Sequence, residues 1–334
     1  MATTGSATTE AGSGAPQSGR AFGLSIEADY PVVGLGPAPD GVPGRRVELR
    51  QTTAADLERA WRRPDRTVVT ERRFPDGRLF LQIDHHAELG YRIYAPRFGR
   101  YSVSADGTLI YAALPQVAAW RHARLLFAQV LPLAATLQGL EPLHASAVAL
   151  DGRGIAFVGH SGAGKTSVVT HLTSAGAALL TDDVLSLDVE DGVVRAHPGA
   201  AFSNLDDSLV QLLTPIERER LGPLIGRSDK LHVEAKVDTE PRSLAALYFL
   251  QRPAEIPTLT FEPIEAPSPG LLMGSAFIPY VRTSLRAVTQ LTICAALASS
   301  VAVFRARVPS SVGSKEFAEG VRAHVRGTLE ASSA

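Results

Sequence analysis

Residues 159–166, GHSGAGKT, constrain the fold of this 334-residue chain more than any other stretch. They fit the pattern GxxxxGK[ST], with Gly159, Gly164, Lys165 and Thr166 in register. A loop of this kind wraps phosphates with backbone N–H groups, so glycine belongs where a side chain would block close approach or forbid a positive φ. His160, Ser161, Gly162 and Ala163 complete the cradle, Lys165 would reach the β- and γ-phosphates, and the Thr166 hydroxyl would ligate Mg²⁺. With ordinary glycine usage, a chain this long matches the bare pattern by chance about one time in a hundred. The flanks sharpen the reading. Residues 155–158, IAFV, predict a buried strand, and residues 166–174 predict a helix that opens at the loop. Strand, glycine loop and helix is the order that places phosphates at a helix N-terminus.

Composition bounds what surrounds the loop. With 45% hydrophobic and 20% charged residues the chain can bury a sizeable core, as one large or two moderate domains. A formal net charge of -1 leaves no basic excess for a polyanion, so nucleic acid is not expected as a partner. The single cysteine, Cys294, cannot close an internal disulfide and sits in an apolar helix-like run, which fits a reducing cytoplasm and a small buried residue. Residues 1–20 lack a basic segment followed by an apolar one and read as a low-complexity, disordered tail. The longest apolar run, 291–304, is interrupted by Thr292, Ser299 and Ser300, so no membrane span is expected.

Residues 21–114 alternate short β-rich segments with turns at PDG (75–77) and ADG (105–107), which predicts a small, mostly antiparallel N-terminal domain. His85 and His86 are adjacent, would face opposite ways on a strand, and read as surface histidines. Arg72, Arg73, Arg78, Arg92, Arg97 and Arg100 read as a solvated strand edge. Residues 118–140 then change to helical spacing, with a kink expected at Pro132, and mark the entry to a second domain over 115–334.

That second region begins LHASAVAL, DGRG, IAFVG, which predicts a hairpin turning at residues 151–154 with His144 at the far end of the incoming strand. After the loop helix, Gly176 reads as a stop and residues 177–180 as a buried strand ending at Thr181, Asp182 and Asp183. Carboxylates at such a strand end, beside a phosphate loop, are placed to meet Mg²⁺. Two of them allow a division of labour, one at the metal and one accepting a proton from an attacking hydroxyl. Turn formation or a structural carboxylate is the plainer alternative for the pair, and the nearby phosphate loop weighs against it. Downstream, residues 301–309 read as a late core strand and 315–330 as an amphipathic helix whose Arg322, His324 and Arg326 form a solvated face.

The block from Leu143 to Leu187 resembles the catalytic core of HPr kinase/phosphorylase and, more closely, the shorter HPr-kinase-related proteins, some of which accompany lasso-peptide clusters. A histidine ahead of the loop, a GxSGxGK[ST] loop and a DD pair carry the resemblance, with His144 twenty-one residues before Lys165 and Asp183 eighteen after it. The resemblance implies an α/β P-loop kinase core, similar to that of phosphoenolpyruvate carboxykinase, behind the β-rich N-terminal domain. It further implies ATP and Mg²⁺ as ligands. Lys165 and the loop would hold phosphates, Thr166 and Asp182 the metal, Asp183 would accept the proton of a substrate serine, and His144 would lie near the transferred phosphate.

Lys230, in SDKLHVEA, is similar to a second nucleotide-binding lysine of related kinases and reads equally well as a surface residue. The segment RAHPGAAFSNLDDS lacks the family's glutamate and Arg-Gly-rich pattern, which leaves Asp206 or Asp207 as weak substitutes for a second metal ligand. The function expected is a cytoplasmic ATP- and Mg²⁺-dependent kinase acting on a Ser or Thr hydroxyl of a peptide or protein. A nucleotide-binding regulatory or scaffold protein without efficient transfer, and a kinase of a free small molecule, stand as alternatives. Because HPr kinases form hexamers, the resemblance also admits a homo-oligomer.

Overall fold

In the computed structural model the described residues are 15–38, 44–253 and 256–331. Turns fold the first part of the chain into one sheet. Its strands are β1 (Gln17–Ala21), β2 (Leu24–Ala28), β3 (Arg45–Gln51), β4 (Thr67–Arg73), β5 (Leu79–His86), β6 (Gly90–Ala95), β7 (Gly99–Val103) and β8 (Leu109–Ala113). Their order is β1-β2-β3-β8-β7-β6-β5-β4. From β4 to β8 the strands form an antiparallel meander, and Gly77 and Gly107 supply the positive φ that the PDG and ADG turns require. β3, however, runs parallel to both β2 and β8. The short α1 (Ala54–Ala60), capped by the Thr53 side chain, connects β3 to β4.

Three expectations change here. β1 begins at Gln17, so the segment read as a tail reaches the sheet before residue 20, because pairing with β2 satisfies its backbone; residues 1–14 lie outside the described residues. His86 is buried, its Nε2 3.1 Å from Asp65 Oδ1 and its Nδ1 accepting from the Glu88 N–H. Arg92 is likewise buried, paired with both Asp84 and Glu58, since opposite charge offsets the loss of water around a guanidinium.

The helical segment is α2 (Ala119–Leu125), a π-helical stretch (Leu126–Val130) and α3 (Leu131–Leu137) in immediate succession. Pro132 has no N–H and its ring crowds the preceding turn, and the wider π turn just before it takes up that fault. Leu125, Leu126, Val130, Leu131 and Leu133 pack in one core with Leu24, Ile26, Val47 and Ile110 of the first sheet. Val184, Ala200 and Phe202 of the second part belong to the same core, so this segment packs between the first sheet and the strands that follow it.

The second part comprises β9 (Glu141–Leu150), β10 (Arg153–Val158), α4 (Lys165–Ser174), β11 (Ala178–Glu190), β12 (Val193–His197), β13 (Phe202–Leu205), α5 (Asp207–Leu212), α6 (Pro215–Glu219), β14 (Leu224–Arg227) and β15 (Leu231–Glu234). It continues with β16 (Arg242–Gln251), β17 (Thr260–Pro263), α7 (Pro269–Met273), α8 (Ser284–Ser300), β18 (Ala302–Arg307) and α9 (Ser314–Ala331). A seven-stranded mixed sheet runs β10-β9-β11-β12-β16-β18-β17, with β10 also parallel to β16, and β13-β15-β14 form a separate three-stranded sheet. The expected hairpin is present as β9–β10, turning on Asp151 (φ 50°) and Gly152 (φ 78°).

Alternation along β9 divides the core. Leu143, Ala145 and Ala147 join Ile293, Cys294 and Leu297 of α8, whereas Val148 and Leu150 join Val168 and Leu172 of α4 and Phe317 and Val321 of α9. The sheet is thus covered by helices on both faces, a mixed α/β architecture. Glu141 at the start of β9 and Arg286 of α8 form a buried ion pair, Nη2 to Oε1 2.6 Å, which anchors α8 to the strand that carries His144. His324 of α9 is not on a solvated face as expected: its ring stacks on Phe261 and its Nδ1 lies 2.8 Å from the Tyr248 hydroxyl. Among the described residues no helix is long and apolar enough to cross a membrane.

Candidate functional site

The parallel strands β10 and β16 aim the glycine loop out of the sheet, and α4 begins at its end. Gly164 caps α4 with φ 100° and Gly162 has φ 82°, the left-handed values that the glycines of the motif permit. Lys165 is buried and folds back on its own loop, its Nζ donating to the Gly159 carbonyl at 2.8 Å and the His160 carbonyl at 3.3 Å. Burial lowers the Lys165 pKa, opposed by the nearby charges of Asp183 and Asp182. His160 turns its Nδ1 to the Ser161 carbonyl at 2.7 Å, and Ala163 packs inside with its N–H on the His160 carbonyl. Arg252, just past β16, donates to the Ala163 carbonyl at 3.1 Å.

The two aspartates lie inside a strand and not at its end. β11 continues from Ala178 to Glu190, with a register shift between Leu179 and Thr181, and pairs with β9 from Ala178 to Leu187. Such a bulge turns the following side chains without ending the ladder. Asp182 stands opposite Ser146 and is buried. Its carboxylate accepts from the Asn204 N–H at 3.0 Å, from the Ser146 hydroxyl at 3.4 Å and from the Thr166 hydroxyl of α4. Burial raises the Asp182 pKa to about 7, a rise that the Asn204 hydrogen bond opposes and the Asp183 charge increases. Asp183, by contrast, is half exposed, and His144 Nε2 lies 3.5 Å from its Oδ1. Burial lowers the His144 pKa, as does the Lys165 charge, while Asp183 opposes both.

The structure thus brings His144, Lys165, Thr166, Asp182 and Asp183 to one place. Lys230, on the turn between β14 and β15, is near enough to act electrostatically on both Lys165 and Asp182. Asp206 pairs with Lys230 at 3.7 Å and Asp207 with Arg227 at 2.9 Å. Among the described residues no group of three or more His, Cys, Asp or Glu side chains is gathered for a metal. Mg²⁺ asks for less, being held through one or two carboxylates with waters and substrate phosphates making up the rest. Asp182 with the Thr166 hydroxyl fits that demand.

Beside the carboxylates opens a cavity of about 110 Å³, walled by Phe22, Phe127 and Phe202, with Arg124, Asp182 and Asp183 among its polar lining. Sequence reasoning missed Ser146, Asn204, Arg252 and these walls. Only Ser146 carried a signal: two residues past His144 on one strand, it had to share that histidine's face. The others arrive from distant segments.

The Asp182 environment sets a pH dependence. Its folded-state pKa of about 7 lies well above the ordinary carboxyl value of 3.8. Between these values the folded protein keeps a proton that the unfolded chain has released, so the stabilisation present at low pH is lost as pH rises through about 7. In metal-free buffer, thermal unfolding of wild type should fall over this window more steeply than that of Asp182→Asn. The variant should be the more stable of the two at alkaline pH. Parallel pH profiles for the two proteins would show that the carboxyl is already ionised in the folded state.

No family model and no curated protein matches the sequence. Among solved structures the chain is similar to the Hpr(Ser) kinase/phosphatase from Coxiella burnetii, at 14% sequence identity and a TM-score of 0.33, over 57% of this chain and 99% of that one. At that distance the site's own geometry has to carry any functional reading.

Proposed function

We propose that the protein is an ATP- and Mg²⁺-dependent kinase that transfers the γ-phosphate to a Ser or Thr hydroxyl of a peptide or protein. The observation that carries the reading is the convergence of Lys165, the buried Asp182 and the exposed Asp183–His144 pair beside a glycine loop, with a cavity on the carboxylate side. The loop N–H groups and the α4 N-terminus bind the phosphates, and Lys165 exchanges its two loop carbonyls for phosphoryl oxygens. Thr166 and Asp182 would hold Mg²⁺, whose chemistry is to offset charge on the phosphoryl oxygens. Asp183, open to the cavity, accepts the acceptor's hydroxyl proton as the oxygen–phosphorus bond forms, the bond to the β,γ-bridging oxygen breaks and ADP leaves. His144 orients that carboxylate.

A nucleotide-binding scaffold is the second reading, favoured by the engagement of Asp206 and Asp207 with Lys230 and Arg227. Wild-type protein with γ-labelled ATP and a set of serine peptides, free amino acids and no acceptor separates these outcomes. Label on a peptide supports the reading. Label on a free amino acid moves the acceptor to small molecules, release of phosphate without any acceptor makes the protein an ATPase, and no turnover favours the scaffold.

A further inference from the structure

α8 is tied down on one side only. Arg286, Ile293, Cys294 and Leu297 are buried against the sheet, and Arg286 is the helix's sole charged residue. The opposite side presents Leu285, Val288 and Leu291, 63%, 61% and 64% exposed, followed by the exposed Thr292, Ala295 and Ala298. At 100° per residue these six positions fall on one face, and that face carries no charge. Singly exposed apolar residues need no explanation, but a continuous uncharged face on a long helix marks an interaction surface.

We infer that this face is where a second copy of the chain docks, through antiparallel packing of α8 on α8 about a two-fold axis. Side-chain size along the stripe carries the inference. Its first half is large (Leu285, Val288, Leu291) and its second half small (Thr292, Ala295, Ala298). With an axis between Leu291 and Thr292, Leu285 meets the partner subunit's Ala298, Val288 meets the partner subunit's Ala295, and Leu291 meets the partner subunit's Thr292. Each large side chain then fills the space above a small one, the self-complementary pattern that a two-fold contact requires. A parallel pairing would crowd large on large and leave a gap between the small halves. The helix is about 25 Å long, and two copies with their flanking turns remove on the order of 1,000 Å² from water, about the floor for a biological contact and consistent with a weak, reversible dimer. A membrane surface is the poorer occupant, because within the helix the one cation, Arg286, is buried on the opposite side and Arg282 alone precedes the cap, too little to meet anionic headgroups.

Sedimentation velocity over a concentration series, with the full chain, tests this. Wild type should run as a dimer in the micromolar range. Val288→Glu, which puts a charge one turn from the axis and against the partner subunit's Ala295, should weaken dimerisation by about 100-fold or more. Leu285→Lys should do likewise, and both variants should keep wild-type circular dichroism because the positions are exposed in the monomer. Register is read by mild oxidation in a Cys294→Ala background. Thr292→Cys, beside the axis, should form an intersubunit disulfide; Leu285→Cys, about 20 Å from its own copy in the antiparallel arrangement, should not. A wild type that is monomeric at 100 µM, a dimer that survives both charge variants, cross-linking at position 285 alone, or a monomer that binds anionic vesicles through this helix would each overturn the inference.

Discussion

Asp183→Asn is expected to lower phosphoryl transfer by about 10²- to 10⁴-fold, the usual loss when a general base is removed, while MgATP affinity stays at the wild-type level. The two effects separate because the two carboxylates do. Asp183 is half exposed on the cavity and meets only His144, whereas Asp182 is buried against Thr166, Ser146 and Asn204. Asparagine preserves the size of the side chain and a hydrogen-bonding oxygen for His144 but cannot take a proton from an acceptor hydroxyl. Single-turnover transfer to a phosphorylatable peptide, run beside calorimetric titration with MgATP, measures both quantities. Transfer at the wild-type rate would remove Asp183 as the base and leave the DD pair as metal support.

Lys165→Ala should act on both quantities, weakening MgATP binding and lowering transfer by about 10²-fold or more, the scale of losing one preorganised charge at the reacting phosphate. Lys165 also holds two loop carbonyls, so alanine can loosen the loop as well as remove charge. Lys165→Met keeps most of the buried alkyl stem, and a matching loss in that variant assigns the effect to the ammonium group. Calorimetry with MgATP decides the matter, and unchanged affinity in both variants would mean that the loop does not bind phosphates.

What the sequence disclosed about the site was local. The glycine loop, its flanking strand and helix, and the β9–β10 hairpin all depend on residues a few positions apart, where backbone sterics and hydrophobic period act directly. The continuation of β11 through Asp182 and Asp183 depends on nine residues of β9 lying alongside, a pairing that no short window contains. The cavity wall is more remote still, since Phe22 and Phe127 reach the carboxylates only after two sheets have packed. The burial of His86 and Arg92 shows the same limit. A polar side chain's exposure is set by partners such as Asp65, Asp84 and Glu58, which spacing along one strand does not reveal.

The packing of α2 and α3 on the first sheet, together with Phe22 and Phe127 in the cavity wall, bears on how such a chain can evolve. A protein whose recognition module is a separate bead can change its clients by exchanging that bead through gene fusion. Here a cut near residue 114 would strip Leu125, Leu126, Val130, Leu131 and Leu133 of their cover and remove Phe22 from beside Asp182. Recombination at that point would divide one apolar core between two chains. Descendants of this chain would then vary the aromatic wall by point substitution and inherit both sheets together.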